Sequence, residues 1–107
     1  MKLYYYYWQG KFDMVLDMMY KNMSYYFKNY EKIKIGITSS PERRVMQYNE
    51  AEWDQMVVKY RTTSLTEIRK IEKILVESYR PWINNMVGGG GGHIKKGPYY
   101  LYLVLKK

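Results

Sequence analysis

The chain has 107 residues, a length typical of one domain and too short for two independent hydrophobic cores. Its 18 lysines and arginines against ten acidic residues give a net charge of +8, which favours polyanionic partners, nucleic acid foremost. The lack of cysteine excludes disulfides and cysteine-based zinc sites, and no stretch approaches a membrane span, so we expect a cytoplasmic protein, in the host cell if viral, with no membrane partner.

The N-terminal part predicts two strands separated by a helix. The aromatic run at residues 3–8 is typical of a strand, and Gln9 and Gly10 end it. The spacing of the methionines predicts a short helix over about 13–22, followed by a strand edge and a turn over 25–31. Charged and apolar residues then alternate in KIKIGI at 32–37, which predicts a half-buried strand.

Two helices with clear start signals follow. Ser40 and Pro41 supply an N-cap and a proline at the first helical position, and we expect this helix to run to about Glu52. After a strand over 55–61, the capping box at 64–67 begins a second helix, which Pro81 ends. A glycine run at 88–92, either a linker or a loop, precedes a final strand within PYYLYLVL at 98–105.

These elements predict an α/β (α+β) fold with a small mixed, mainly antiparallel sheet flanked by helices. The whole chain, 1–107, forms one domain with an insertion at about 10–30. The tight links between strands favour an antiparallel meander covered by helices on one side.

The helix that begins at Pro41 offers an anion site at its N-terminal end. Arg44 and Tyr48 are four residues apart and project from one face of a continuous helix, so together they present a guanidinium and a phenol to a phosphate. The alternative is that Arg44 is a surface charge and Tyr48 a packing residue. From this helix alone, the alternative is favoured.

Glu72 interrupts the apolar stripe of the later helix. A carboxylate in such a stripe is costly unless it meets a cation or a metal. Arg69, three residues earlier, can satisfy it, and read alone this explanation and a metal site are equally favoured.

The combined pattern resembles the GIY-YIG nuclease family, in its phage and virus branch. KIG at 34–36 stands where the family has YIG, SSPERRVMQY at 39–48 is similar to its arginine helix, and EKILVESYRPWIN at 72–84 is similar to the segment with its metal-binding glutamate. The resemblance covers about residues 32–85, half of the chain.

This resemblance implies roles for particular residues. Glu72 would be the sole protein ligand of Mg²⁺ or Mn²⁺, Arg44 would clamp the scissile phosphate with support from Tyr48, and Asn84 would brace the site. Lys34 replaces the tyrosine of YIG and can contact phosphate or act as a base.

The first half of the family motif, GIY, has no exact copy in this sequence. KLY at residues 2–4 matches it best, and the insertion then accounts for its long separation from KIG. Tyr4 and Tyr6 share one face of their strand and are our choice for the site, while Tyr25 or Tyr26 is the rival alignment.

The sequence therefore predicts a divalent-metal-dependent endonuclease that hydrolyses DNA phosphodiester bonds, with RNA as a further possible substrate. A homodimer is plausible because one such site cuts one strand of a duplex. The alternatives are a catalytically inactive nucleic-acid-binding module of the same fold, which the loss of the YIG tyrosine allows, and a protein-interaction domain using tyrosine and methionine surfaces. His93, the one histidine, is interpreted as an idle surface residue.

Overall fold

The computed structural model describes residues 1–84 and 96–107, so the glycine run and His93 lie outside the described residues. In chain order the elements are β1 (Lys2–Trp8), α1 (Phe12–Asn29), β2 (Lys32–Thr38), α2 (Pro41–Val45), β3 (Gln55–Thr62), α3 (Leu65–Tyr79), a 3-10 turn (Arg80–Trp82) and β4 (Tyr99–Lys106).

The four strands form one sheet in the order β1-β3-β4-β2. β4 pairs antiparallel with both β3 and β2, while β1 pairs parallel with β3. The predicted mixed, mainly antiparallel sheet is confirmed, but the predicted meander is wrong because β1 is not a neighbour of β2. The reason is burial: most of β4 is buried on both faces, so the last strand occupies the interior of the sheet and separates strands that come earlier.

Each face of the sheet carries its own core. α1 and α3 pack on one face, the helix face, where Ile35, Val57 and Leu103 are buried. On the other face, Met56 and Tyr102 are buried with Trp53. This second face, the site face, is covered by the short α2 and the segment after it rather than by a long helix, so helices do not lie on one side alone.

α1 is longer than predicted. It runs to Asn29, so Tyr25 and Tyr26 are helical and do not form a strand edge and turn. Val15, Met19, Met23 and Tyr26 are its buried residues, and their spacing of three or four makes one continuous apolar face on α3 and the sheet. Among the described residues, no helix combines the length and apolar character needed to span a membrane.

α2 is shorter than predicted and ends at Val45 instead of about Glu52. The Tyr48 N–H donates to the Val45 carbonyl over three residues, at 3.3 Å, so the chain leaves the helix in a tighter turn. Asn49 then fixes a turn, since its side-chain oxygen accepts from the Ala51 N–H at 2.9 Å. Arg44 and Tyr48 therefore do not belong to one continuous α-helix.

Candidate functional site

The site is built around a close approach of two neighbouring strands. Gly36 of β2 lies directly opposite Tyr102 of β4 in the antiparallel register. The Tyr102 phenol lies against the Gly36 backbone, where a β-carbon would overlap the ring and its oxygen. Glycine is required here because the tyrosine fills the space that any other side chain needs.

A second phenol reaches the same place from the turn after α2. The Tyr48 and Tyr102 hydroxyl oxygens are 2.7 Å apart, a hydrogen bond in which either can donate, and their rings meet edge to face at 6.1 Å between centroids. Burial raises the pKa of both phenols. Both groups are therefore protonated at neutral pH, and the pair keeps one O–H proton that its internal bond does not use.

Two cations border the phenols. The Lys34 ammonium lies 5.4 Å from the centre of the Tyr48 ring, on the site face of β2. Burial raises the pKa of Tyr48, of Tyr102 and of Glu72, and the Arg44 guanidinium on α2 is close enough to oppose this rise in all three. Arg44 is thus the residue that links α2 electrostatically to both the phenol pair and α3.

Glu72 brings the carboxylate from α3. Its side chain is 8% exposed, and Oε2 accepts no hydrogen bond from any residue in the described part of the chain. Burial raises the pKa of Glu72 to about 7, although the positive charges of Arg44 and Arg69 lower it. Arg69 therefore does not neutralise the carboxylate as an ordinary ion-pair partner would.

Asn84 secures the free edge of β2. Its N–H donates to the Ile33 carbonyl at 2.7 Å, and its Oδ1 accepts from the Ile33 N–H at 3.2 Å. This two-point attachment holds the strand next to Lys34, so Asn84 contacts the site through the backbone of β2 rather than through the phenols.

The structure does not bring Tyr4 or Tyr6 to this cluster. Tyr4 packs against the core of the helix face, opposite to Tyr48 and Tyr102, and Tyr6 stacks on it at 5.8 Å. Of the rival pair, Tyr26 is buried in the same core and Tyr25 is 57% exposed on α1. These tyrosines lie apart from Tyr48 and Tyr102 because β1 is at the far edge of the sheet, next to β3.

Tyr102 is the residue that sequence reasoning missed. It lies on the C-terminal strand, which carries tyrosines at 99, 100 and 102 behind Gly97. This second tyrosine-rich run was the available signal, because the N-terminal run, from which Tyr4 and Tyr6 were chosen, is also rich in tyrosine. Only the pairing of β4 with β2 distinguishes the two.

The lone Glu72 oxygen has the chemistry of a ligand for a hard divalent cation. Mg²⁺ takes one or two protein carboxylates and completes its shell with water and substrate phosphate oxygens. No group of three or more histidine, cysteine or acidic side chains could hold a metal within residues 1–84 and 96–107. A cation here would therefore depend on the substrate for further ligands.

The raised pKa of Glu72 predicts that the Glu72→Gln variant becomes more stable relative to wild type as pH rises. A raised pKa means that the folded state binds the Glu72 proton more tightly than the unfolded chain does. This proton therefore stabilises the wild-type protein fully below about pH 4.5, and the stabilisation is lost as pH rises through about 7. In EDTA, Glu72→Gln should gain on the order of 2 kcal/mol over wild type between pH 5 and pH 8.5. Urea unfolding at both pH values measures the gain, and an equal difference at both would contradict the burial of an unpaired carboxylate.

Comparison with known proteins adds one match. The family model described as the T5orf172 domain matches residues 17–93, more than half of the chain. This is a phage-associated domain found in nuclease contexts. The matched range includes Lys34, Arg44, Tyr48 and Glu72 but ends before β4 and Tyr102. No curated protein and no solved structure matches the chain.

Proposed function

Because the chain belongs to the T5orf172 domain family, whose setting indicates a nucleic-acid-related role, we propose that it is a divalent-metal-dependent endonuclease acting on DNA phosphodiester bonds. The sequence similarity to GIY-YIG nucleases over about residues 32–85 supports the same proposal. The net charge of +8 supplies the salt-dependent attraction to a polyanionic backbone that such an enzyme needs.

One observation carries the proposal: a buried carboxylate whose Oε2 has no hydrogen-bond partner among residues 1–84 and 96–107, beside a guanidinium and two hydrogen-bonded phenols. Leaving such an oxygen unpaired costs stability, because burial removes its water and nothing replaces it. Groups of this kind are concentrated at functional sites, where a ligand can supply the missing partner. The basic surroundings favour a ligand that brings both a cation and a phosphate.

In the proposed site, Glu72 would hold Mg²⁺ or Mn²⁺. A divalent cation there would supply Lewis-acid stabilisation of the charge that develops on phosphate oxygens during in-line hydrolysis. Arg44 binds a non-bridging oxygen of the scissile phosphate, for which the planar guanidinium has matching donors.

The phenol pair would orient the phosphate. Tyr102 is fully buried against Gly36, whereas Tyr48 is partly exposed, so the favourable arrangement has Tyr102 donating to Tyr48. The Tyr48 O–H is then free to donate to a phosphate oxygen. Raised pKa values suit both phenols to donation at neutral pH rather than to accepting a proton.

Lys34 takes the place of a tyrosine in this arrangement. Its ammonium over the Tyr48 ring adds a second cationic donor for phosphate, besides the guanidinium of Arg44. Asn84 acts at a distance by holding β2. Tyr4 and Tyr6 have no role in the reaction proposed here.

The test is nicking of supercoiled plasmid by the wild-type protein. We expect conversion to open-circular DNA in Mg²⁺ or Mn²⁺ and none in EDTA. The second candidate is a binding module without turnover, which the lysine at position 34 favours. A plasmid that stays intact in both metals, together with salt-dependent retardation of DNA on a gel, would establish the binding module and contradict the nuclease.

A further inference from the structure

The proposed catalytic cluster consists of Lys34, Arg44, Tyr48, Glu72 and Tyr102. A groove of about 460 Å³ opens beside it, between the outer edge of β2 and the segment after α2. It shares Lys34 and Tyr48 with that cluster. Polar side chains make up most of its wall; its lining residues are Lys32, Lys34, Gln47, Tyr48, Asn49, Glu52, Trp53 and Asn84. The groove therefore continues the site outward along β2 and is more polar than a pocket for an apolar ligand.

Two lysines, Lys32 and Lys34, lie two residues apart along one wall of the groove and are called the lysine row. Lys32 and Lys34 alternate with the buried Ile33 and Ile35, so both point to the site face. Two residues of strand advance about 6.8 Å, close to the separation of successive phosphates along a nucleic-acid strand. Side chains that leave β2 at this spacing can reach two consecutive phosphates.

Aromatic rings hold this row in place. The Lys32 ammonium lies 4.6 Å from the centre of the Trp53 ring, as the Lys34 ammonium lies 5.4 Å from the centre of the Tyr48 ring. Such contacts restrict two long side chains before any ligand arrives. Less rotamer freedom then remains to be lost on binding.

We propose that this groove is the subsite for the nucleic-acid strand adjoining the scissile phosphate, with Lys32 binding the next phosphate along. The inference rests on the proposed function, because Lys34 belongs both to this pair of lysines and to the catalytic cluster. Gln47 and Asn49 also line the groove, and on this proposal they are the side chains that meet the sugars and base edges of that strand.

The Glu52 carboxylate competes with a bound phosphate for the Lys32 ammonium. A Glu52 carboxylate oxygen lies 3.5 Å from the Lys32 ammonium, and the Glu52 side chain is 60% exposed. A phosphate that binds Lys32 must displace this carboxylate or remain beside its negative charge. Removing the charge of Glu52 should therefore strengthen binding, and only when Lys32 is present.

The test is fluorescence anisotropy with a labelled 20-nucleotide oligothymidine, in EDTA so that no cleavage is needed. We expect Lys32→Ala to weaken binding by about three- to tenfold and to reduce the slope of log K against log salt by about 0.7. Glu52→Gln should tighten binding by about twofold or more in the wild type and leave the Lys32→Ala variant unchanged.

The matched control is a second lysine–carboxylate pair. Lys21 and Asp17 are 2.9 Å apart on α1, exposed, and carried by the element that packs on the helix face. Lys21→Ala and Asp17→Asn make the same charge changes as the two test substitutions. The proposal requires clearly smaller effects at this pair.

Equal effects at the two pairs would overturn the subsite, since net charge alone would then explain binding. Competition by a polyglutamate of equal charge as strong as that by oligothymidine would overturn it as well. Neither result touches the nuclease proposal, which plasmid nicking decides. Conversely, an inactive protein whose binding follows the expected Lys32 and Glu52 pattern would keep the subsite and reject the nuclease.

Discussion

Replacing Glu72 with glutamine is expected to reduce the rate of plasmid nicking by at least about 1,000-fold while changing DNA affinity by less than about threefold. Glutamine keeps the shape of the side chain but removes the charge that would hold the cation. Binding persists because the basic surface that attracts DNA is unchanged. Nicking rates in Mn²⁺ and anisotropy with a labelled duplex measure the two quantities on the same preparations.

Glu77→Gln is the matched control for this experiment. Glu77 lies on the same helix five residues later and is exposed, so it loses the same charge without touching the cluster. It should nick at the wild-type rate. Because Glu72→Gln is also expected to be more stable than wild type above pH 7, unfolding cannot account for its loss of activity. Nicking by Glu72→Gln within tenfold of wild type would reject Glu72 as the metal ligand.

Replacing Gly36 with alanine is expected to lower the free energy of unfolding by about 3 kcal/mol and to abolish nicking. The new methyl group would occupy the position of the Tyr102 phenol, and the Tyr102 side chain is fully buried. Displacing that ring also breaks its hydrogen bond to Tyr48. Urea unfolding gives the stability, and the plasmid assay gives the activity.

A double-mutant cycle separates this clash from a general strand effect. In a Tyr102→Leu background the phenol is gone, so Gly36→Ala should cost at least about 1 kcal/mol less than in the wild type. The Gly36 backbone lies in an ordinary strand, so no conformational penalty masks the comparison. An equal cost in both backgrounds would contradict the close approach of the two strands.

The local signals in the sequence predicted the elements that begin with a cap. The Ser40 and Ser64 side chains accept hydrogen bonds from the N–H groups of Arg43 and Glu67, as their N-cap positions require. The alternation in KIKIGI also predicted β2 correctly. Cap chemistry and alternation depend on neighbouring residues alone, so a sequence reveals them directly.

The end of α2 and the strand order depended on contacts that local patterns do not contain. α2 ends because the chain must turn to place Tyr48 and Trp53 on the site face, where both pack around Tyr102. β4 reaches the interior because both of its faces are apolar, but nothing in its sequence states that β2 is its partner. Long-range pairing therefore decided which strand supplies the phenol.

The placement of Glu72 illustrates both cases. Its position inside the apolar stripe of α3 predicted a buried carboxylate, and the structure buries it. The same pattern left Arg69 as an equally good explanation. Only the three-dimensional arrangement distinguishes an oxygen without a hydrogen bond from a paired one, because pairing depends on the direction of each side chain as well as on its position along the helix.

The most direct test of the central claim is titration of the Glu72 carboxyl by carbon NMR, with and without Mg²⁺. A buried carboxylate that binds a cation should titrate with a pKa of about 7 in EDTA, and added Mg²⁺ should lower this value because the cation competes with the proton. A pKa near 4.5 in EDTA, or a pKa that Mg²⁺ leaves unchanged, would contradict a metal site at Glu72.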